Sequence, residues 1–137
     1  MGVTVLLTAG SAIIGVLGLI HILYTFRTDK FEPRDRDLGR RLRDVHPVLT
    51  AETTMWKAWI GFNASHSVGA MLFAAFYGYL ALFRLDFLLS SPFLIALSLI
   101  ALASYVLLAR AYWFRTPLAG ITIATALFSA GYLLAII

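Results

Sequence analysis

The sequence predicts an all-α fold: an integral membrane four-helix bundle with a short amphipathic helix in its first cytoplasmic loop. Three observations carry that reading. Hydrophobic residues make up 61% of the 137 and charged residues only 13%, whereas a soluble domain is about half apolar and a quarter charged. Four apolar runs are each long enough to cross a hydrocarbon core of about 30 Å, which takes about 20 helical residues. The charges fall almost wholly between those runs. The chain reads as a single transmembrane domain over residues 1–137, with spans at about 3–26, 58–83, 87–109 and 117–137 and a cytoplasmic loop at 27–57.

The first span is too long and too glycine-studded for a cleaved signal peptide. Ser11, Gly15 and Gly18 give it a face of small residues, which lets a neighbouring backbone approach closely. The loop that follows is the only extended polar segment. From Arg27 to Met55 it mixes seven basic with six acidic residues. Within it Leu38, Leu42, Val45 and Leu49 recur at helical spacing, with Arg36, Arg40, Arg41 and Arg43 around them. Asp35 or Asp37 is placed to cap that helix, and Pro47 to end it after His46. Such a segment lies on the inner membrane surface. Arg34, Arg36, Arg40, Arg41 and Arg43 are the expected contacts with anionic lipid head groups. Thr50 is the expected cap of the second span, with Glu52 in its first turn.

The second span puts Asn63, His66, Ser67, Ala70, Ala74 and Gly78 on one stripe. Phe62, Met71 or Leu72, Phe76, Leu80 and Phe83 fall opposite, facing lipid. The third span contains Pro92, a residue suited to a helix start. The fourth opens on Pro117, whose missing N–H suits a first turn, and carries Gly120, Ala124, Ala130 and Gly131.

Orientation follows from lysine and arginine. Ten of the eleven lie in the first and third loops, and only Arg84 lies in the second. The positive-inside rule then puts both termini outside and the long loop in the cytoplasm. Trp56, Trp59, Tyr112 and Trp113 fall at the cytoplasmic interface, where amphipathic rings concentrate. The net charge of +4 reports topology and lipid contact, not nucleic acid. No cysteine is present, which excludes thiol chemistry and thiolate metal sites.

The expected site is a polar cluster inside the membrane: His21, Asn63, Ser65, His66 and Ser67. His21 lies five residues before the end of span one. Asn63 and His66 lie just inside span two, so antiparallel helices bring the three to one depth. Two roles fit. Such groups hydrogen-bond across helices and fix their register, at about 0.6–2 kcal/mol each; they also mark ligand or proton paths. His21 and His66 form the only intramembrane histidine pair, and a b-type haem takes two axial ligands from facing helices. Haem b is therefore the candidate cofactor. Two histidines without a buried carboxylate fall short of a zinc site.

No span carries an acidic residue, which argues against proton-coupled export. Metalloprotease and nucleophile-elbow motifs are missing. Ser65, His66 and Ser67 are consecutive on a helix, about 100° apart, so none serves another as base. An enzyme is not expected.

The segment MWKAWIGFNASHSVGAMLFAAFYGYLAL resembles a family of small bacterial membrane proteins with a G-F-N-x-S-H-S-x-G segment on the second of four helices. That family carries no established activity. The resemblance implies the architecture and residence in a bacterial inner membrane, and it supplies no substrate. The expected role is binding or assembly: a subunit of a membrane complex or a homo-oligomer, or a holder of a small or lipid-like ligand. The alternative is a haem-linked or proton-handling redox component.

Overall fold

A computed structural model of the protein describes residues 1–137. The chain is all-helical: α1 (Gly2–Arg27), α2 (Arg36–Asp44), α3 (Met55–Phe83), α4 (Leu85–Leu89), α5 (Pro92–Tyr112) and α6 (Arg115–Ile136). Helices α1, α3, α5 and α6 are long and apolar enough to cross a membrane, which makes this a multi-pass membrane protein by length and composition. Helix α3 has the lowest mean hydropathy of the four, 1.4 against 2.3 for α1. Its polar residues, Asn63 to Ser67, are the reason.

Helix ends follow local chemistry, and some differ from expectation. The Asp35 carboxylate caps α2, accepting from the N–H groups of Asp37 and Leu38. Helix α2 stops at Asp44, because Val45 is already extended as the chain approaches Pro47. The four-residue apolar stripe therefore breaks. Leu38 and Leu42 are on α2, whereas Leu49 lies in a turn and is 92% exposed. The cap of α3 is Thr54 rather than Thr50: the Thr54 hydroxyl accepts from Lys57 N–H. Thr50 closes a tight turn instead, accepting from Glu52 N–H. The third apolar run is not one helix. It breaks at Ser90–Ser91, where the Ser91 side chain caps α5 and Pro92 takes the first turn. Pro117 sits in the first turn of α6, as expected.

The chain divides into two compact units, Met1–Leu17 with Ala70–Ile137, and Gly18–Gly69. In the first, α1 and α6 run antiparallel through glycine contacts. A Cβ on Gly131 would meet Leu7 at 3.0 Å, one on Gly10 would meet Phe128 at 2.7 Å, and one on Gly120 would meet Leu17 at 2.9 Å. Gly15 packs on Ala74 of α3 in the same manner, and Gly78 on Ser11.

Phe128 is wholly buried at the centre of this unit. Its ring meets Phe73, Tyr77 and Tyr132 at 5.8, 5.9 and 6.0 Å, within the usual range for aromatic pairs. Each buried phenol finds a partner. Tyr77 donates to the Leu94 carbonyl at 2.9 Å. The Ser98 hydroxyl spends its proton on the Ile95 carbonyl, so it accepts from Tyr132 at 2.9 Å.

One lipid-face assignment is corrected here. Leu80 is buried, while Phe62, Leu72, Phe76 and Phe83 are exposed. Leu80 lies one turn beyond Tyr77, whose bulk widens the inward face of α3 past the small-residue stripe.

Gly10→Ala should lower stability in detergent micelles by about 1–3 kcal/mol, the usual cost of overpacking. The ring it strikes is hemmed in by three others. Gly61→Ala, whose Cβ meets nothing within 4 Å, should leave stability unchanged or raise it by up to about 1 kcal/mol. Denaturant titration of both variants checks this.

Candidate functional site

The second unit holds the polar residues singled out in the sequence. Asn63 is 4% exposed and Ser67 fully buried; His21 and His66 are half-buried, and Ser65 is exposed. Helix α3 fixes this pattern, since residues 63 and 67 share a face that residue 65 cannot.

A chain of hydrogen bonds sets the chemistry of His21. The Asn63 amide nitrogen donates to the Trp59 carbonyl at 2.8 Å. A carbonyl only accepts, so the amide orientation is determined: Oδ1 points away, toward His21 Nε2 at 3.0 Å. An amide oxygen also only accepts. His21 therefore carries a proton on Nε2, and in the neutral ring Nδ1 is the acceptor nitrogen. Around this bond the hydroxyls are satisfied within their own helices. Thr25 donates to the His21 carbonyl, Ser67 to the Asn63 carbonyl and Ser65 to the Phe62 carbonyl.

His66 lies edge-on to His21, with ring centroids 5.3 Å apart and planes at 69°. It also stacks on Phe62, with ring centroids 6.5 Å apart. Two residues complete the cluster that the sequence reading missed. Phe31, from the loop, lies 4.7 Å from the His21 ring and 6.3 Å from Trp59. Trp59 Nε1–H donates to the Phe31 carbonyl at 3.2 Å. The signal was present: Phe31 is the one aromatic residue in the charged stretch 27–37.

The arrangement does not fit haem. A bis-histidine haem places a porphyrin between two imidazoles that aim at one iron. Here the rings are in direct contact, and His21 Nε2 faces Asn63. No group of three or more His, Cys, Asp or Glu side chains stands together to hold a metal ion. His46 is engaged elsewhere, donating through Nδ1 to the Thr53 carbonyl at 2.7 Å. With the bond from Met55 N–H to the Val45 carbonyl, it ties the end of α2 to the start of α3.

The arginines divide. Arg34, Arg36, Arg40 and Arg43 line a cleft of about 500 Å³ together with Asp29 and Glu32, whereas Arg41 lies off it. Arg43 is the most engaged. It donates to Glu32 at 2.5 Å and to the Gly39 carbonyl at 2.7 Å, and it covers the Trp56 ring at 4.1 Å. Arg40 pairs with Asp37 one turn away.

No protein family, curated protein or solved structure matches the chain.

The tautomer is directly measurable. In ¹⁵N spectra of the labelled protein, the neutral form of His21 should show its proton on Nε2. Asn63→Leu should shift the balance toward the Nδ1–H tautomer relative to wild type, while Ser65→Ala should leave it unchanged.

Proposed function

We propose that this is a binding or assembly protein of a bacterial inner membrane, a four-helix bundle with both termini outside and the α1–α3 loop in the cytoplasm. In this reading α2 is a surface helix that lays Leu38 and Leu42 against the lipid. The cluster of His21, Asn63 and His66 holds a small or lipid-like ligand at the cytoplasmic end of α1 and α3. The observation that carries this is Phe31, which closes over His21 from the loop. A loop aromatic that covers an oriented imidazole suits a gate between a polar group and an incoming amphiphile. The outward edge of the cluster is half-exposed, so a ligand in the bilayer reaches it without unfolding a helix.

Orientation supports the same reading. Basic residues gather in the loops flanking this end, where they are retained on the cytoplasmic side.

Two measurements test the proposal. Native mass spectrometry of the protein released from mild detergent should show a bound mass. His66→Ala and Phe31→Ala should lose it while keeping their helical content; a wild-type protein that always flies bare contradicts the ligand role. For topology, the natural lack of cysteine allows single-cysteine labelling. Val48→Cys should react with an impermeant maleimide only after cells are opened. Phe87→Cys should react in intact cells.

A further inference from the structure

We infer that the cleft lined by Arg34 and Arg36 is a site for the phosphodiester of an anionic phospholipid head group. The inference deepens the proposed lipid-facing role, yet it rests on different residues from the histidine cluster, so either can fail alone.

The cleft's volume, about 500 Å³, falls within the range of about 300–1,000 Å³ typical of small-molecule sites. One wall is built and held. Arg43 is fixed by Glu32, by the Gly39 carbonyl and by the Trp56 ring, so its charge is largely spent. Arg40, on α2, is paired with Asp37, which leaves Arg36 at the start of α2 and Arg34 just before it as the uncommitted guanidinium groups lining the cleft. Arg34 and Arg36 have no carboxylate partner in the chain. Guanidinium forks match phosphate oxygens in paired hydrogen bonds and hydrate weakly, which favours arginine over lysine for this task.

Gly39 lines the cleft. It is buried, and a Cβ there would sit 3.6 Å from Arg43 Nη1 and 3.8 Å from Glu32 Oε2 and Pro33 Cδ. A methyl group fits that space; a larger side chain fills it. Asp29 also lines the cleft and bears on the ligand's charge. Its carboxylate disfavours a dianionic phosphomonoester and suits a singly charged phosphodiester with a hydroxyl donor alongside.

Location identifies the source of the phosphate. Phe31, between Asp29 and Glu32, is pinned against His21 and bonded to Trp59. The same short segment therefore lies at the ends of α1 and α3, where a spanning helix meets the head-group layer.

The test uses the full-length protein in detergent with phosphatidylglycerol as the probe. Phosphatidylcholine and inorganic phosphate serve as comparisons. Phosphatidylglycerol should bind at least about tenfold tighter than phosphatidylcholine, and Arg34→Gln with Arg36→Gln should remove that preference, as loss of two head-group arginines demands. Gly39→Leu keeps every charge but fills the space beside Gly39. It should weaken binding about tenfold too, since the charge-assisted contacts need the open cleft. Arg41→Gln should bind as wild type. Diffuse attraction to a basic surface gives the opposite pattern, with Gly39→Leu unaffected and Arg41→Gln as weak as Arg36→Gln; that result overturns the inference. Displacement of the lipid by inorganic phosphate at equal concentration also overturns it, in favour of a soluble anion.

Discussion

A membrane interior offers no water, so each polar atom in a spanning helix must find its partner in the protein. Most side chains here meet that demand locally. Thr25, Ser67, Ser104, Thr122 and Thr125 each donate to the carbonyl four residues earlier. Asn63 cannot do the same. Its amide nitrogen reaches the Trp59 carbonyl, but its oxygen has nothing to accept on its own helix, whose amides are committed. The donor must come from another element, and His21 supplies it. One carboxamide thus joins α1 to α3 and selects the tautomer of an imidazole. Thr8 and Ser11 are the exceptions, with buried oxygens that have no partner. Ser11 acts there through its size, since it faces Gly78.

That single cross-helix bond organises the second unit. It places His21 where Phe31 and His66 close around it, and Phe31 in turn holds the loop. A second tie, from His46 to Thr53 and Val45 to Met55, holds the loop's other end. Between the two lies α2 with its arginines. The first unit works differently. There glycines bring backbones together and one phenylalanine of α6 packs against α1 and α3, so dispersion rather than hydrogen bonding does most of the joining.

The four long apolar helices were legible because a continuous apolar run of about 20 residues is the mark of a membrane-crossing segment. The alignment of His21 with Asn63 was legible too, because helix rise converts sequence position into depth. What the sequence hid lay where tertiary contact decides. Thr50 and Thr54 are equally good caps on paper, and the bonds at Val45 and Met55 choose between them. Pro47 predicts a helix that ends after His46, but the backbone is already extended at Val45 and α2 stops at Asp44. The small-residue stripe predicts a lipid-facing Leu80, yet the larger Tyr77 widens the inward face and Leu80 is buried. Of the expected polar cluster, Asn63, Ser67 and the two imidazoles meet, whereas Ser65 turns outward to its own helix.

A double-mutant cycle tests the bond on which this organisation depends. Stability would be measured for wild type, His21→Ala, Asn63→Ala and the double variant in the same detergent or lipid. A coupling energy of about 0.6–2 kcal/mol between the two positions is expected, the range for hydrogen bonds between membrane helices. Strictly additive losses would mean that imidazole and amide do not interact, and that something else joins α1 to α3.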